Sequence, residues 1–489
     1  MTIPLEHSSV QYLSPDQIQA LHPAPDPNSH HDPYTVAQER LKKVGQYSNR
    51  QQLGNRFSIG CVALEITQRC NLDCTCCYLS ENSEAVKDLP LQEVFRRIDL
   101  IYAHYGKGTA VQITGGDPTL RKKDELLQIV RRVRDKGMRP SLFTNGIKVT
   151  RPYLKDLVDA GLTDIALHVD MTQERKGYAS EIDLNRLRQE YIERARDLAV
   201  MVFFNFTVTR ESFHAIPELV QFYIANADVV RTVSFQLQAD TGRGVDRERD
   251  VVISQDSVRA QINRGAAIDI NFDASPIGHT RCNKYAMCFE VNGKLYNALD
   301  DSEFVEQIVS SRDADWNDYR SPNPFVNVYR WWKKHPGHIV SGMRYISRLL
   351  WQGKWDLLKA RGKVNRLSFF IHNFMDACHL EPDRIEACSF HTITRDGPIS
   401  MCLLNAKRDD YILQPVAVTD NQQTVYWDPL TGETAAEIAP VNPVDPLDHG
   451  IKRLKGRSRQ IALHQRTHQK QHLDKKQRYQ LIDTREITA

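Results

Sequence analysis

Residues 61–78 read CVALEITQRCNLDCTCCY, and the two halves of this stretch carry different information. The first half, Cys61 to Thr67, is an apolar run with the character of a buried strand. The second half places Cys70, Cys74 and Cys77 at the spacing C-x3-C-x2-C in the loop that follows. Three thiolates converging from one short loop suit an iron-sulfur cluster, and three ligands leave one iron of a cubane open to hold a substrate. Cys61, inside the strand, reads as an ordinary buried small hydrophobe. Structural zinc would use paired C-x2-C knuckles from two segments, whereas here one knuckle, Cys74 and Cys77, is joined by a thiol one turn earlier. The first residues, MTIPLEHSSVQYLSPDQ, show neither a basic nor an apolar export region, so the thiols are expected to be reduced and a cytoplasmic setting is expected.

Moving outward, two segments carry apolar residues at helical spacing, 89–105 (LPLQEVFRRIDLIYAHY) and 123–136 (KDELLQIVRRVRDK), and each is followed by a short β-type run. Strands are predicted near 61–67, 110–114, 140–144, 164–169, 201–208 and 232–238, separated by helices. This alternation implies βα units and a parallel sheet, with any ligand at the carboxyl ends of the strands. Three loops at such ends stand out: Gly115, Gly116, Asp117, Pro118 after the second strand, Thr144, Asn145, Gly146 after the third, and His168, Val169, Asp170 closing the fourth. Alone, GGDP would mean only a turn.

In this order the motifs resemble the radical S-adenosylmethionine superfamily, whose three-cysteine loop follows the first barrel strand. The resemblance implies an α/β fold with a partial (β/α)6-type TIM barrel. It implies a 4Fe-4S cluster on Cys70, Cys74 and Cys77, and S-adenosylmethionine held by Gly115, Gly116, Asp117 and Pro118, with Thr144, Asn145, His168, Asp170 and Tyr78 nearby. It further implies an enzyme that cleaves S-adenosylmethionine reductively to a 5′-deoxyadenosyl radical, fed by an electron donor such as flavodoxin or ferredoxin. One position departs from the pattern: Cys76 stands where the superfamily usually has an aromatic residue, and Tyr78 follows the loop.

The chain has 489 residues, 41% of them hydrophobic and 26% charged, with a net charge of +3, an ordinary balance for a globular protein. No run of apolar residues is long enough to span a membrane. Composition divides it into a Pro- and His-rich flexible arm at 1–56, the barrel at 57–275, a cysteine-containing α+β extension at 276–420 and a basic tail at 421–489. The extension holds Cys282, Cys288, Cys378, Cys388 and Cys402. Taken singly these read as core or surface thiols. The segment from Phe369 to Leu413 also looks like the C-terminal part of proteins related to archaeal tetraether lipid synthases, which implies a second iron-sulfur cluster on Cys282, Cys388 and Cys402. The fourth ligand is open between Cys378 and Cys288.

Within the extension, the insert 326–363 holds Trp331, Trp332, Trp351 and Trp355 among many Lys and Arg and a single acid, Asp356. That mixture fits a helix in a membrane interface, peripheral on the inner face, and equally a lid that packs its tryptophans inward. The basic stretch 451–478 lacks interleaved aromatics, so nucleic acid is the weaker partner. In the barrel, Asn205, Gln236, Gln238, His168 and Asp170 alternate with apolar neighbours and are expected to face the lumen. Three functions compete: hydrogen abstraction from a lipid chain, modification of a peptide or small molecule, and a non-catalytic iron-sulfur or zinc scaffold. Intact GGDP and TNG elements disfavour the scaffold.

Overall fold

The computed structural model describes residues 13–21, 32–243, 249, 252–311, 324–420 and 423–438. The basic stretch 451–478 and the start of the N-terminal arm lie outside the described residues.

Six strands, β1 (Cys61–Thr67), β2 (Ala110–Gly115), β3 (Arg139–Thr144), β4 (Asp164–His168), β5 (Met201–Val208) and β6 (Val230–Leu237), pair in parallel and in sequence order. Ahead of them stand α1 (Pro15–Ala20) and α2 (Pro33–Lys43). The strands are joined by α3 (Leu91–Tyr105), α4 (Lys123–Asp135), α5 (Arg151–Asp159), α6 (Asn185–Ala195) and α7 (Ile216–Ala225), and α8 (Gln255–Ala266) follows β6. The period-2 geometry of β1 splits its side chains: Val62, Leu64 and Ile66 join the main core with Val94, Ile98 and Ile101 of α3, while Cys61, Ala63, Glu65 and Thr67 face the other way, into the barrel. Each βα unit thus buries one strand face under a helix and turns the other to the lumen.

The extension does not stand apart. It adds β7 (Asn283–Val291), β8 (Lys294–Asn297), β9 (Asn365–Asn373), β10 (Phe390–Thr394) and β11 (Gly397–Ser400) to the same sheet, in the order β11-β10-β1-β2-β3-β4-β5-β6-β9-β7-β8. β9 runs parallel to β6, and β10 parallel to β1. The expected six parallel strands therefore become eight, because the C-terminal chain supplies one more at each edge. The two edges meet through side chains: Asn283 Nδ2 donates to Ser389 Oγ at 2.8 Å and the His372 and Phe390 rings pack edge to face 5.0 Å apart, while His372 Nδ1, 2.7 Å from Asn283 Oδ1, ties the paired β9 and β7 together on one side of the joint.

Two boundaries differ from expectation. Part of the N-terminal arm is packed structure: Leu41 of α2 and Leu53 are buried with Ile277 and Ala387, and Gln51 Nε2 donates to Gly278 O at 3.0 Å. Proline and histidine content suggested an arm, yet the apolar residues between them have a surface to cover. At the other end, Val416–Asp420 pairs with Gln423–Trp427, so the last small sheet crosses the expected boundary at 421.

The remaining helices are α9 (Ser302–Ser310), α10 (Pro324–Lys334), α11 (Ile339–Lys359), α12 (Pro382–Glu386), α13 (Met401–Ala406) and α14 (Arg408–Ile412). The Trp-rich insert forms α10 and α11, and its tryptophans divide. Trp331 is 3% exposed, donates through Nε1 to Ser311 Oγ at 2.9 Å and meets Phe304 edge to face. Trp332 lies on Gly342, where a Cβ would stand 2.4 Å from its Nε1. Trp351 and Trp355 are instead 72% and 68% exposed, on the same outer face of α11 as Val340, Met343, Leu350 and Leu358. Asp356 turns inward to Tyr296, Lys294 and Asn292, leaving Lys354 over Trp351 at 3.7 Å. Among the described residues no helix is long and apolar enough to cross a membrane.

Candidate functional site

The loop after β1 is tied down on three sides. At its start, Gly116 N donates to Thr67 O at 2.9 Å and Asp117 N to Arg69 O at 2.8 Å, so the end of β2 clasps the end of β1. In its middle, Thr75 N donates to Thr172 O at 2.8 Å, beyond β4. At its end, Tyr78 OH donates to Gly115 O at 2.5 Å. Two glycines allow this closeness: a Cβ on Gly115 would sit 1.9 Å from Thr67 O, and one on Gly116 would sit 2.1 Å from Arg69 O.

These tethers bring Cys70, Cys74 and Cys77 within electrostatic reach of one another. Burial pushes the Cys70 thiol up to about 12, and the neighbouring Cys77 adds to the rise. Burial likewise raises Cys74, again with Cys77 and Cys70 contributing. Ionising such a pocket of thiols is costly unless a cation enters with the negative charge, and this is the requirement that metal binding with proton release meets. All three are free thiols. Among the described residues no three His, Cys, Asp or Glu side chains are gathered for one metal ion. Three soft thiol donors within mutual reach on one short loop are the donor set that an iron-sulfur cluster takes, so the residues present suit one.

The neighbouring motifs form a frame around this loop. Asp117 is buried and both its oxygens accept: Oδ1 from Thr119 N and the Thr119 hydroxyl, Oδ2 from the Thr144 hydroxyl at 2.8 Å and Asn145 N at 2.9 Å. Its carboxylate thus locks the end of β2 to the end of β3, while Pro118 starts the single helical turn that follows. Asn145 Nδ2 donates to Asn71 Oδ1 inside the three-cysteine loop at 2.6 Å. Asp170 accepts from Thr172 N at 3.0 Å and Thr207 N at 2.8 Å and lies 2.7 Å from His168 Nε2. Burial opposes the charge on Asp170, but His168 and these donors hold its carboxyl well below the usual range. His168 keeps a half-open side chain and lies 3.4 Å from the Thr207 hydroxyl across the lumen wall. Gln112 and Thr114 of β2, Thr207 of β5 and Gln236 of β6 share the partly exposed inner positions, and Asn205 the buried ones, so the barrel mouth is polar.

Three residues of the site, Arg408, Glu65 and Arg243, are not among those that the sequence reading singled out. Arg408 of α14 grips Glu65 with Nη1 at 2.9 and 2.8 Å and lies 4.9 Å from the Tyr78 ring, closing the mouth from the C-terminal side. A lone acid in an apolar strand needs such a partner, so Glu65 itself was a usable clue. The third, Arg243, lies against the far end of the three-cysteine loop.

A second gathering of thiols lies where the sheet edges meet. Cys282 precedes β7, Cys388 precedes β10 and Cys402 opens α13, and the three influence one another. Burial pushes Cys402 up to about 12 and Cys282 to about 11, the latter eased by Arg384, whose Nε donates to Cys282 Sγ at 3.1 Å. Neither candidate for a fourth ligand joins them. Cys288 belongs to the main core. Cys378 is exposed in a polar cavity of about 450 Å³, because Ala377 N is held by Asp240 O at 2.9 Å. Cys61, a buried strand residue as expected, nevertheless faces Cys388.

Residues 64–223 match the family described as the Radical SAM superfamily, so the chain carries a domain of that superfamily, which uses a 4Fe-4S cluster and S-adenosylmethionine. Among curated proteins, the chain is 30% identical over 186 residues to a 7,8-dihydro-6-hydroxymethylpterin dimethyltransferase of Methanocaldococcus jannaschii, covering 37% of this chain and 36% of that one. It is 29% identical over 181 residues to a PqqA peptide cyclase of Bradyrhizobium diazoefficiens, covering 36% and 46%. The chain thus spans less than half the length of these relatives. The solved structure of Streptococcus suis SuiB bound to S-adenosylmethionine aligns with a TM-score of 0.32 at 19% identity, over 41% of this chain and 46% of that one.

Proposed function

We propose, from the Radical SAM superfamily domain this chain carries, that the protein binds a 4Fe-4S cluster through Cys70, Cys74 and Cys77 and uses it with S-adenosylmethionine to take hydrogen from an unactivated carbon. The observation that carries the proposal is the meeting of these three thiols at the carboxyl ends of parallel strands. When bound, the cluster supplies the electron that cleaves S-adenosylmethionine to a 5′-deoxyadenosyl radical, the electron coming from a donor of the flavodoxin or ferredoxin kind. The chain's own residues do the rest. Gly115 to Pro118 and Thr144 and Asn145 would shape the edge that holds S-adenosylmethionine, and Tyr78 pins the loop. The polar lumen around His168 and Asn205 orients the groups that enter, while Arg408 and Glu65 limit water at the mouth. Anaerobic reconstitution, reduction by dithionite and assay of 5′-deoxyadenosine test this, and a reduced protein that forms none overturns it.

The lumen wall favours a substrate that carries hydrogen-bonding groups near its target carbon, and the relatives named for a pterin and a peptide act on molecules of that kind. A lipid chain as substrate is the second reading. It is supported by the outer face of α11 and by the likeness of Phe369–Leu413 to the tetraether branch, and it sets the protein on the inner membrane surface. Rings at headgroup depth with Lys354 and Lys359 beside them would meet anionic lipid. Changing Trp351 and Trp355 together to Ala is expected to weaken co-sedimentation with anionic vesicles at least tenfold, since two indoles forfeit about 1.5 kcal/mol or more of apolar burial. Equal binding by variant and parent, or no preference for anionic over neutral vesicles, removes this reading.

Cys282, Cys388 and Cys402 would hold the second iron-sulfur cluster. Replacing all three with Ala is expected to lower iron by about four per chain for a second cubane while 5′-deoxyadenosine formation in the absence of substrate persists. Unchanged iron would show the trio to be plain core thiols.

A further inference from the structure

The turn after β6 presses on the cluster loop. Gly242, at φ +61°, makes this possible, because a Cβ there would lie 2.3 Å from the carbonyl carbon of Tyr78. Arg243 N then donates to Leu79 O at 2.6 Å, which holds the residue against the end of the three-cysteine loop. The residue is 5% exposed. Its Nη2 donates to Glu84 Oε1 at 3.0 Å, but Nε and Nη1 are shut off from water with no hydrogen-bond partner. Burial works against the charge on this guanidinium, and Cys77 leads the groups that sustain it, ahead of Glu84 and Asp73. Arg243 in turn lowers the cost of ionising Cys70 and Cys74. The second cation near Cys77, Arg408, is spent on both oxygens of Glu65.

Two dry donor nitrogens on a full positive charge are expensive unless an anionic acceptor completes them. The sulfurs of a cluster held by three thiolates are such acceptors, and charge and hydrogen bonds around them set its potential. We propose that Arg243 is a positioning residue for electron transfer, its guanidinium set against the iron-sulfur centre of Cys70, Cys74 and Cys77 so that the added electron is stabilised. The inference rests on reading these thiols as cluster ligands. One electron arrives from an external low-potential donor, no bond breaks and no proton moves. A fixed positive charge in a water-poor site favours the more negative, reduced form.

The test uses the full chain, reconstituted without oxygen, with iron and sulfide counted and the cluster titrated by electron paramagnetic resonance before S-adenosylmethionine is added. Arg243→Gln is expected to cut the ratio of reduced to oxidised cluster at fixed poise at least tenfold, about 59 mV downward for a one-electron couple. Arg243→Lys, which keeps the charge, should recover most of that shift. Glu84→Gln, which relieves the guanidinium of its counter-charge, should move the midpoint upward. An iron-loaded Arg243→Gln protein that titrates with the parent overturns the inference and leaves the cluster assignment standing, whereas a parent that takes up no iron overturns the assignment itself. If Arg243→Gln retains no iron, Glu84→Gln decides: an upward shift supports the inference, and no shift or a downward one ends it.

Discussion

Replacing Cys70, Cys74 and Cys77 together with Ala is expected to remove about four irons per chain and to abolish 5′-deoxyadenosine formation, with the barrel still folded. The separation of effects follows from how the loop is held. Its tethers are the amides of Thr75, Gly116 and Asp117 and the Tyr78 hydroxyl, none of which uses a thiol. The cysteines are only partly buried, so shortening them leaves no large cavity. Iron analysis, circular dichroism and product assay on one preparation check all three parts. Iron and product at parental levels in the triple variant would place the chemistry elsewhere.

Gly115→Ala should be the most damaging single change outside the cysteines. Two faults coincide there. The backbone sits at φ +129°, where side chains are rarely tolerated, and the new Cβ would stand 1.9 Å from Thr67 O. Overpacking and a disfavoured backbone each cost about 1–3 kcal/mol, and the obstacle is backbone, which has nowhere to go. Because Tyr78 OH rests on Gly115 O, the displacement should reach the cluster loop, so lowered stability and lost iron are expected together. Gly108→Ala is the control, since that residue is also left-handed, at φ +83°, but has open space around it. It should cost only the conformational part and keep its iron. Equal losses in the two variants would mean that contact with Thr67 is not what matters.

The barrel strands were legible because their period and spacing are local facts. β1 falls at the expected residues, and β2 to β6 shift by at most two. The strand edges were not legible. Whether β9 adds to β6 and β10 to β1 depends on pairings across long stretches of chain, such as Cys61 with Phe390, that leave no periodic trace. The same limit explains the site. Cys70, Cys74 and Cys77 could be named from one loop, whereas the partners of Glu65 and the placing of Arg243 depend on segments folded back from elsewhere. It explains the placing of Cys378 and Cys288 as well: both are thiols that could serve as ligands, and only the path of the chain sends one to the surface and the other to the core. For the insert, aromatic content was clear, but the outward turn of Trp351 and the inward turn of Trp331 required knowing what α10 and α11 rest on.

In a fully laddered cylinder, bore follows from strand number and stagger, both of which change only in whole steps. Here the last joint is made by Asn283, Ser389, His372 and Phe390 rather than by backbone rungs. The diameter at that joint is therefore free of the integer rule. Swapping a few residues there can widen or narrow the chamber by fractions of a strand's width, so this scaffold could admit guests of different girth, and the three-cysteine loop, which follows β1 one strand from that joint, would feel the change.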